Sequence, residues 1–219
     1  MDARRIIAGR PAALLMLALF AAGAASAADE EAAGPQQVIE KAANEVLDAI
    51  NGRREELRKN PRELYAVVEE ILLPHFDIDY ASRLILARSW REASEEQRER
   101  FQEAMYDSLV RTYADGLLDF TADSLKVLPM RGKPDGDQVT VRTEVMLDDG
   151  TRAPVNYVMH KVDGDWKVFD VFIEGISYVL NYRKQLDAEI RRQGLGNVIE
   201  RLEKDPDFIE TAEPDEGAG

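Results

Sequence analysis

The stretch VTVRTEVMLDDGTRAPVNYVMHKVDGDWKVFDVFI, residues 139–173, decides the fold because apolar and polar residues alternate along most of its length. Alternation with a period of two is typical of strands that bury one face. Asp-Asp-Gly at 148–150 and Asp-Gly-Asp at 163–165 interrupt the alternation with turn residues. We therefore predict an antiparallel meander of about four strands over residues 123–173, with 125–128 as its edge strand.

Apolar residues recur at helical spacing before this stretch and again after it. The pattern predicts a helical part over about 36–120 and C-terminal helices over about 174–204. Asn60-Pro61 is typical of a helix start. Ser94 and Gln97 form a capping box at the start of the longest helix. Helices, then a meander, then further helices make an α+β architecture.

The two ends of the chain differ in composition from the part between them. Residues 1–27 have a basic front, an apolar run and Ala-Ser-Ala at their end, which is the pattern of a cleaved secretory signal. The apolar run is shorter than the roughly 20 residues of a membrane-spanning helix. We expect a soluble mature chain with one domain over 28–204. The acidic, proline-containing residues 205–219 predict a disordered tail.

Charge and cysteine content exclude several classes of function. The formal net charge is −14, and removal of residues 1–27, which carry one Asp and three Arg, would make it −16. Such an acidic chain is unsuited to nucleic acid and to stable electrostatic binding of anionic bilayers. The chain has no cysteine, so it has no disulfide, no thiolate nucleophile and no cysteine-based metal site.

Candidate catalytic groups are few. His75 and His160 are the only histidines; His75 follows a proline at a predicted helix end, and His160 lies on the strand face opposite Tyr157. Both positions favour a structural contact. Asp170 lies in an apolar strand and needs donors, which a salt bridge or a helix N-terminus would supply. No glycine-rich phosphate loop, HExxH or GxSxG motif occurs. We therefore assign no catalytic residue, no metal and no cofactor.

Apolar side chains of the long helix and of two central strands are the candidate lining of a pocket. A bent meander with helices on one face can enclose space on its concave side. The same residues would equally fill an ordinary core, so both interpretations stand at this point. The candidate lining residues are Met105, Tyr106, Leu109, Val110, Tyr113, Tyr157, Met159, Phe169 and Val171.

Three stretches resemble the MlaC family of periplasmic phospholipid-binding proteins, also called the toluene-tolerance auxiliary proteins of a lipid ABC transport system. Residues 75–91, HFDIDYASRLILARSWR, are similar to a family segment that contains Asp-Phe, Ala, Leu-Gly and Trp, although Ala87 stands in place of the glycine. Residues 94–101, SEEQRERF, are similar to the opening of the family's long helix. Residues 165–183, with DWKVFDV, EGIS and YR, are the most specific of the three.

The resemblance implies an NTF2-like fold, in which a curved antiparallel sheet wrapped by helices encloses an apolar lipid cavity. It implies a periplasmic carrier with phospholipid as cargo and no reaction. The implied partners are an inner-membrane MCE-domain protein of the ABC transporter and an outer-membrane lipoprotein–porin complex, with only transient membrane contact. The implied role is to maintain the lipid asymmetry of the outer membrane.

Two other hypotheses remain beside the carrier. A small NTF2-like enzyme could use a polar pocket residue such as Asp170 or Tyr157, and a strongly perturbed Asp170 in a polar cavity would favour it. A periplasmic protein-binding module could use exposed apolar helix faces, and an open apolar groove would favour it.

Overall fold

A computed structural model describes four parts of the chain, which are residues 33–130, 136–146, 150–205 and 208. The predicted signal over 1–27, residues 148–149 of the first predicted turn and nearly all of the predicted tail lie outside these parts. Every helix within them is too short or too polar to cross a lipid bilayer.

In the described part of the chain, six α-helices and one 3₁₀ turn precede the sheet. The capping box is present, since the Ser94 hydroxyl accepts from the Gln97 backbone amide and the Gln97 side chain accepts from the Ser94 amide, each at 3.1 Å. The short second helix carries one apolar residue, Leu57, and so gives no period to detect. The helices are α1 Pro35–Ile50, α2 Arg54–Lys59, α3 Pro61–Leu72, α4 Ile78–Leu86, α5 Arg88–Glu92 and α6 Glu95–Leu117, with the 3₁₀ turn at Leu73–His75.

The strands form one antiparallel sheet in chain order, which confirms the α+β class. Asp163 and Gly164 connect the third and fourth strands with positive φ angles of 53° and 96°, as a two-residue hairpin turn requires. The fifth strand has two residues and is too short to show a period. The strands are β1 Leu125–Val127, β2 Gln138–Met146, β3 Arg152–Val162, β4 Asp165–Ile173 and β5 Ile176–Ser177.

A β-bulge in β4 changes which side chains share a face of the sheet. The pairing of β3 with β4 shifts register between Val158 and Met159, and Phe169 is the extra residue. Strict alternation would place Phe169 on the face of Val171. That expectation is wrong, because the bulge turns Phe169 to the opposite face, where its ring centroid lies 4.9 Å from that of His160.

The C-terminal helices begin later than the predicted residue 174. Glu174 and Gly175 form a turn with positive φ angles of 51° and 88° between β4 and β5. The Ser177 hydroxyl then accepts from the Leu180 amide at 3.0 Å and caps the next helix. The helices are α7 Tyr178–Gln193 and α8 Leu195–Lys204.

The buried apolar residues fall into three clusters. The first cluster lies between α4, α6, α7 and α8. The second lies between the start of α1 and one face of the sheet, and the third between the end of α1, α2, α3 and the end of α6. A domain of this size usually has one contiguous core. The division therefore directs attention to the region that the three clusters surround.

Candidate functional site

One side of α6 carries apolar residues that are incompletely buried. Tyr106, Leu109, Val110 and Tyr113 lie on this side at intervals of three and four residues, and we call them the α6 stripe. Met105, on the flank of the stripe, is closed into the first cluster. A helix that packs into an ordinary core buries its apolar side completely. The α6 stripe therefore faces a space that protein side chains do not fill.

Tyr157 lies deep in the fold but is not sealed. Burial raises its pKa to about 12, because it disfavours the phenolate, and a hydrogen bond with Thr143 acts in the opposite direction. The side chain nevertheless keeps some accessible surface. A deeply placed side chain with accessible surface faces an internal space. Its cross-strand neighbours Val141 and Val171 make that surface apolar.

The predicted lining residues are distributed over all three clusters. The sequence could not show this division, because it depends on how the helices cross. Phe169 belongs to the opposite face of the sheet, against Tyr80 and His160. Of the others, Met105 and Leu109 belong to the first cluster, Tyr157, Met159 and Val171 to the second, and Val110 to the third.

The Tyr106 hydroxyl is buried and has no hydrogen-bond partner among the residues that the structure describes. Burial, with the charges of Glu69 and Asp107, raises the pKa of this phenol. An unpaired buried hydroxyl costs about 1–3 kcal/mol. The α6 stripe thus contains a polar group that the apolar pattern of the sequence did not reveal.

Three tyrosines meet where α6 passes the start of α7. The ring centroids of Tyr113 and Tyr178 are 6.3 Å apart, and those of Tyr178 and Tyr182 are 5.8 Å apart. The Tyr113 hydroxyl shares hydrogen bonds with both other hydroxyls. We call these residues the tyrosine cluster. Sequence reasoning selected Tyr113 alone, because the contact depends on two helices that are distant in the chain.

His160 makes the strand-face contact that its position predicts. Its Nε2 atom lies 2.7 Å from the Asp77 carboxylate, and its ring is tilted against Tyr80 at a centroid distance of 4.7 Å. Asp77 also accepts from the Tyr80 amide at 2.9 Å and caps α4. The Asp77 amide donates to the Val168 carbonyl at 2.8 Å. This pair fastens the segment before α4 to the sheet.

The other polar candidates also have structural partners. Asp170 accepts from the Ser177 hydroxyl at 2.6 Å and from the Val179 amide at 3.1 Å, which is the predicted helix N-terminus. A carboxylate there also interacts favourably with the helix dipole. His75 Nε2 lies 3.7 Å from a Glu45 oxygen. Among the described residues, no group of three His, Asp or Glu could hold a metal ion.

A pocket of about 180 Å³ opens between α6 and α8, away from the α6 stripe. Arg100 and Glu203 border it and form a two-pronged ion pair with N–O distances of 2.8 Å. Glu103, Asp107 and Arg111 add further charge. This lining is unsuited to an apolar ligand.

A family model described as "MlaC protein" matches residues 40–204. The chain belongs to the MlaC family. The resemblance of the three quoted stretches is thereby confirmed. The match includes α6, the sheet and α7, and so contains both the α6 stripe and the tyrosine cluster.

Two curated relatives agree with MlaC membership. Toluene tolerance protein ttg2D of Pseudomonas putida is 30% identical over 161 residues, which are 73% of this chain and 74% of that protein. The intermembrane phospholipid transport system binding protein MlaC of Haemophilus influenzae is 21% identical over 173 residues, or 78% of this chain and 81% of that protein.

A solved structure has the same fold. It is the phospholipid-binding protein from Ralstonia solanacearum in complex with a phospholipid, with 26% identity and a TM-score of 0.73. The likeness covers 81% of this chain and 99% of that one.

Proposed function

We propose that this MlaC-family chain is a periplasmic phospholipid carrier. The observation that carries the proposal is apolar surface that lies inside the fold without being packed, on the α6 stripe and at Tyr157. The phospholipid bound to the Ralstonia solanacearum relative supports acyl chains as the occupant. The proposed acyl contacts are Tyr106, Leu109, Val110, Tyr113, Tyr157 and Val171, with the closed-in Met105 and Met159 behind them.

The energetics of lipid transfer require such a surface. At about 0.8 kcal/mol per methylene, two acyl chains of ordinary length are less stable in water by on the order of 20 kcal/mol. Free diffusion of a phospholipid between membranes is therefore negligible. An enclosed apolar surface offsets most of this free energy, while the head group can stay in water.

The polar groups favour a carrier over an enzyme. His160 and Asp170 are held by internal partners, and both contacts stabilise the fold. A catalytic acid or base would instead need to reach a substrate. The proposal therefore includes cargo but no reaction and no cofactor.

We further propose that the mature chain lacks residues 1–27 and acts between two membranes. Its partners would be an inner-membrane MCE-domain protein of an ABC transporter and an outer-membrane lipoprotein–porin complex, and its role would be to maintain outer-membrane lipid asymmetry. The printed name of the Haemophilus influenzae relative supports this placement. The net charge of −14 favours brief contact with anionic bilayers.

Native mass spectrometry of the mature chain, purified without detergent, tests the carrier proposal. We expect a mass increment that extraction identifies as phospholipid. A lipid-free mass, together with no uptake from phospholipid vesicles, would contradict it.

Val171→Glu tests where the acyl chains lie. A carboxylate against acyl chains is unfavourable by several kcal/mol, so lipid retention should fall by about tenfold or more. Met146→Glu is the matched control, because Met146 lies at the exposed end of β2 with 39% of its surface accessible. Circular dichroism checks the folding of both variants, and Val171→Phe, which fills the same space, replaces Val171→Glu if that variant does not fold. Normal retention in a folded Val171 variant would refute the location.

A further inference from the structure

The tyrosine cluster stands at one end of the α6 stripe and runs from the surface to the interior. Tyr113 is 38% exposed, whereas Tyr182 is 4% exposed. Tyrosine has an apolar ring and a polar tip, so it suits a boundary between an apolar space and water. The cluster therefore has the position and the chemistry of a mouth for the space beside α6.

The hydroxyl groups of the cluster leave one donor for an outside acceptor. Three hydroxyls carry three protons, and the two hydrogen bonds that Tyr113 shares use two of them. Whichever way the bonds are oriented, the remaining proton belongs to an end of the chain, at Tyr178 or Tyr182. Tyr182 is closed into the first cluster, while Tyr178 is only partly buried. Tyr178 is therefore the accessible end.

The acceptor that fits this donor is neutral. Burial is the main cause that raises the pKa of each phenol, and the remaining causes are the other tyrosines. Proteins hold phosphate with Arg, Lys or free amides at a helix N-terminus. Here two of the first amides of α7 are already bonded to Asp170 and Ser177. An ester carbonyl needs one neutral donor, and so it matches the cluster better than phosphate does.

We propose that the tyrosine cluster holds the glycerol-ester region of the bound lipid, with Tyr178 donating to an ester carbonyl oxygen. The inference rests on the proposed function, because it needs a glycerophospholipid in the space beside α6. The acyl chains then extend along the α6 stripe, and the phosphate lies in water beyond Tyr113. The cluster thereby fixes the depth of the lipid and selects acyl esters over ethers.

Competition between two phosphatidylcholines of equal chain length tests this proposal, one with ester-linked chains and one with ether-linked chains. The diether lipid keeps the phosphate and the hydrocarbon and lacks the two carbonyls. The delipidated full mature chain is loaded from mixed vesicles, and the bound ratio is measured by mass spectrometry. One neutral hydrogen bond corresponds to about a 3- to 10-fold preference. We expect the wild-type chain to prefer the ester lipid by this factor.

Tyr178→Phe should bring the ratio of bound ester to ether lipid close to one, and Tyr113→Phe, which breaks the chain of hydroxyls, should lower it. Tyr80→Phe is the matched control, since Tyr80 is also partly buried but packs against His160 on the other side of the sheet. A purely structural role for Tyr178 would reduce retention of both lipids equally. An equal ratio in the wild type, or an unchanged ratio in both cluster variants, overturns the inference and leaves the carrier standing. A wild type that takes up neither lipid overturns both.

Discussion

Ala87→Gly should stabilise the protein. Ala87 is the single residue between α4 and α5, and its amide donates to the Arg83 carbonyl at 2.9 Å to close α4. To begin the next helix at once, the backbone adopts φ 49° and ψ −107°. This conformation suits glycine, which has no Cβ, and strains an L-residue. The MlaC family, as the sequence comparison indicates, usually has glycine at this place.

The magnitude follows from two opposing terms. A non-glycine residue in a sparsely populated region of positive φ costs about 1–3 kcal/mol. Glycine increases the conformational entropy of the unfolded chain, which destabilises the fold by about 0.4–1 kcal/mol. The net effect is an increase of about 0.5–2 kcal/mol in the free energy of unfolding. For a domain of this size that raises Tm by roughly 2–6 °C.

Urea and thermal unfolding of the lipid-free chain measure this effect, because a bound ligand would itself add stability. Ala93→Gly is the matched control at an ordinary φ of −72°. The control should lose about 0.5–1 kcal/mol through backbone entropy. An Ala87→Gly variant that is no more stable than the wild type would refute the reasoning.

Three further predictions concern single side chains. Tyr106→Phe removes the unpaired hydroxyl, so the free energy of unfolding of the lipid-free chain should stay constant or rise by up to about 1–3 kcal/mol; a clear loss in urea unfolding would show an internal partner. Asp170→Ala removes two acceptors at the start of α7 and should destabilise the fold by about 1–3 kcal/mol in the same assay, and an unchanged midpoint would contradict the capping role. The Tyr157 pKa is raised from 10.0 to about 12 in the folded chain, so its contribution is complete below pH 10 and is lost as pH rises to 12. Stability should therefore fall over that range, and less steeply in Tyr157→Phe; identical slopes would exclude Tyr157 as a contributor.

The helices and strands with strong periods could be predicted from the sequence. The capping box fixes the start of α6, and the alternation along β2 and β3 indicates the meander. By contrast, α2 is almost entirely charged and β5 has two residues, so neither gives a periodic signal. The start of α7 was misplaced because the turn at Glu174 and Gly175 lies within a pattern that also suits a helix.

The site was predictable in part. The α6 stripe follows from helical spacing, and Tyr157 follows from strand alternation. Phe169 illustrates the limit, since one extra residue in β4 reverses the face of a side chain and alternation does not reveal the insertion. The tyrosine cluster and the unpaired hydroxyl of Tyr106 depend on tertiary contacts, which one sequence without its fold does not contain.

The first helix has a consequence for cooperativity. Val38 and Ile39 at its start belong to the second cluster, while Val46 and Ile50 at its end belong to the third. A helix of 16 residues is a rod about 24 Å long, so neither end can detach without loosening the other. The rod thus couples two cores that barely share side chains. We expect all-or-none unfolding even in the lipid-free chain, with the strength of a contiguous core replaced by the stiffness of one helix.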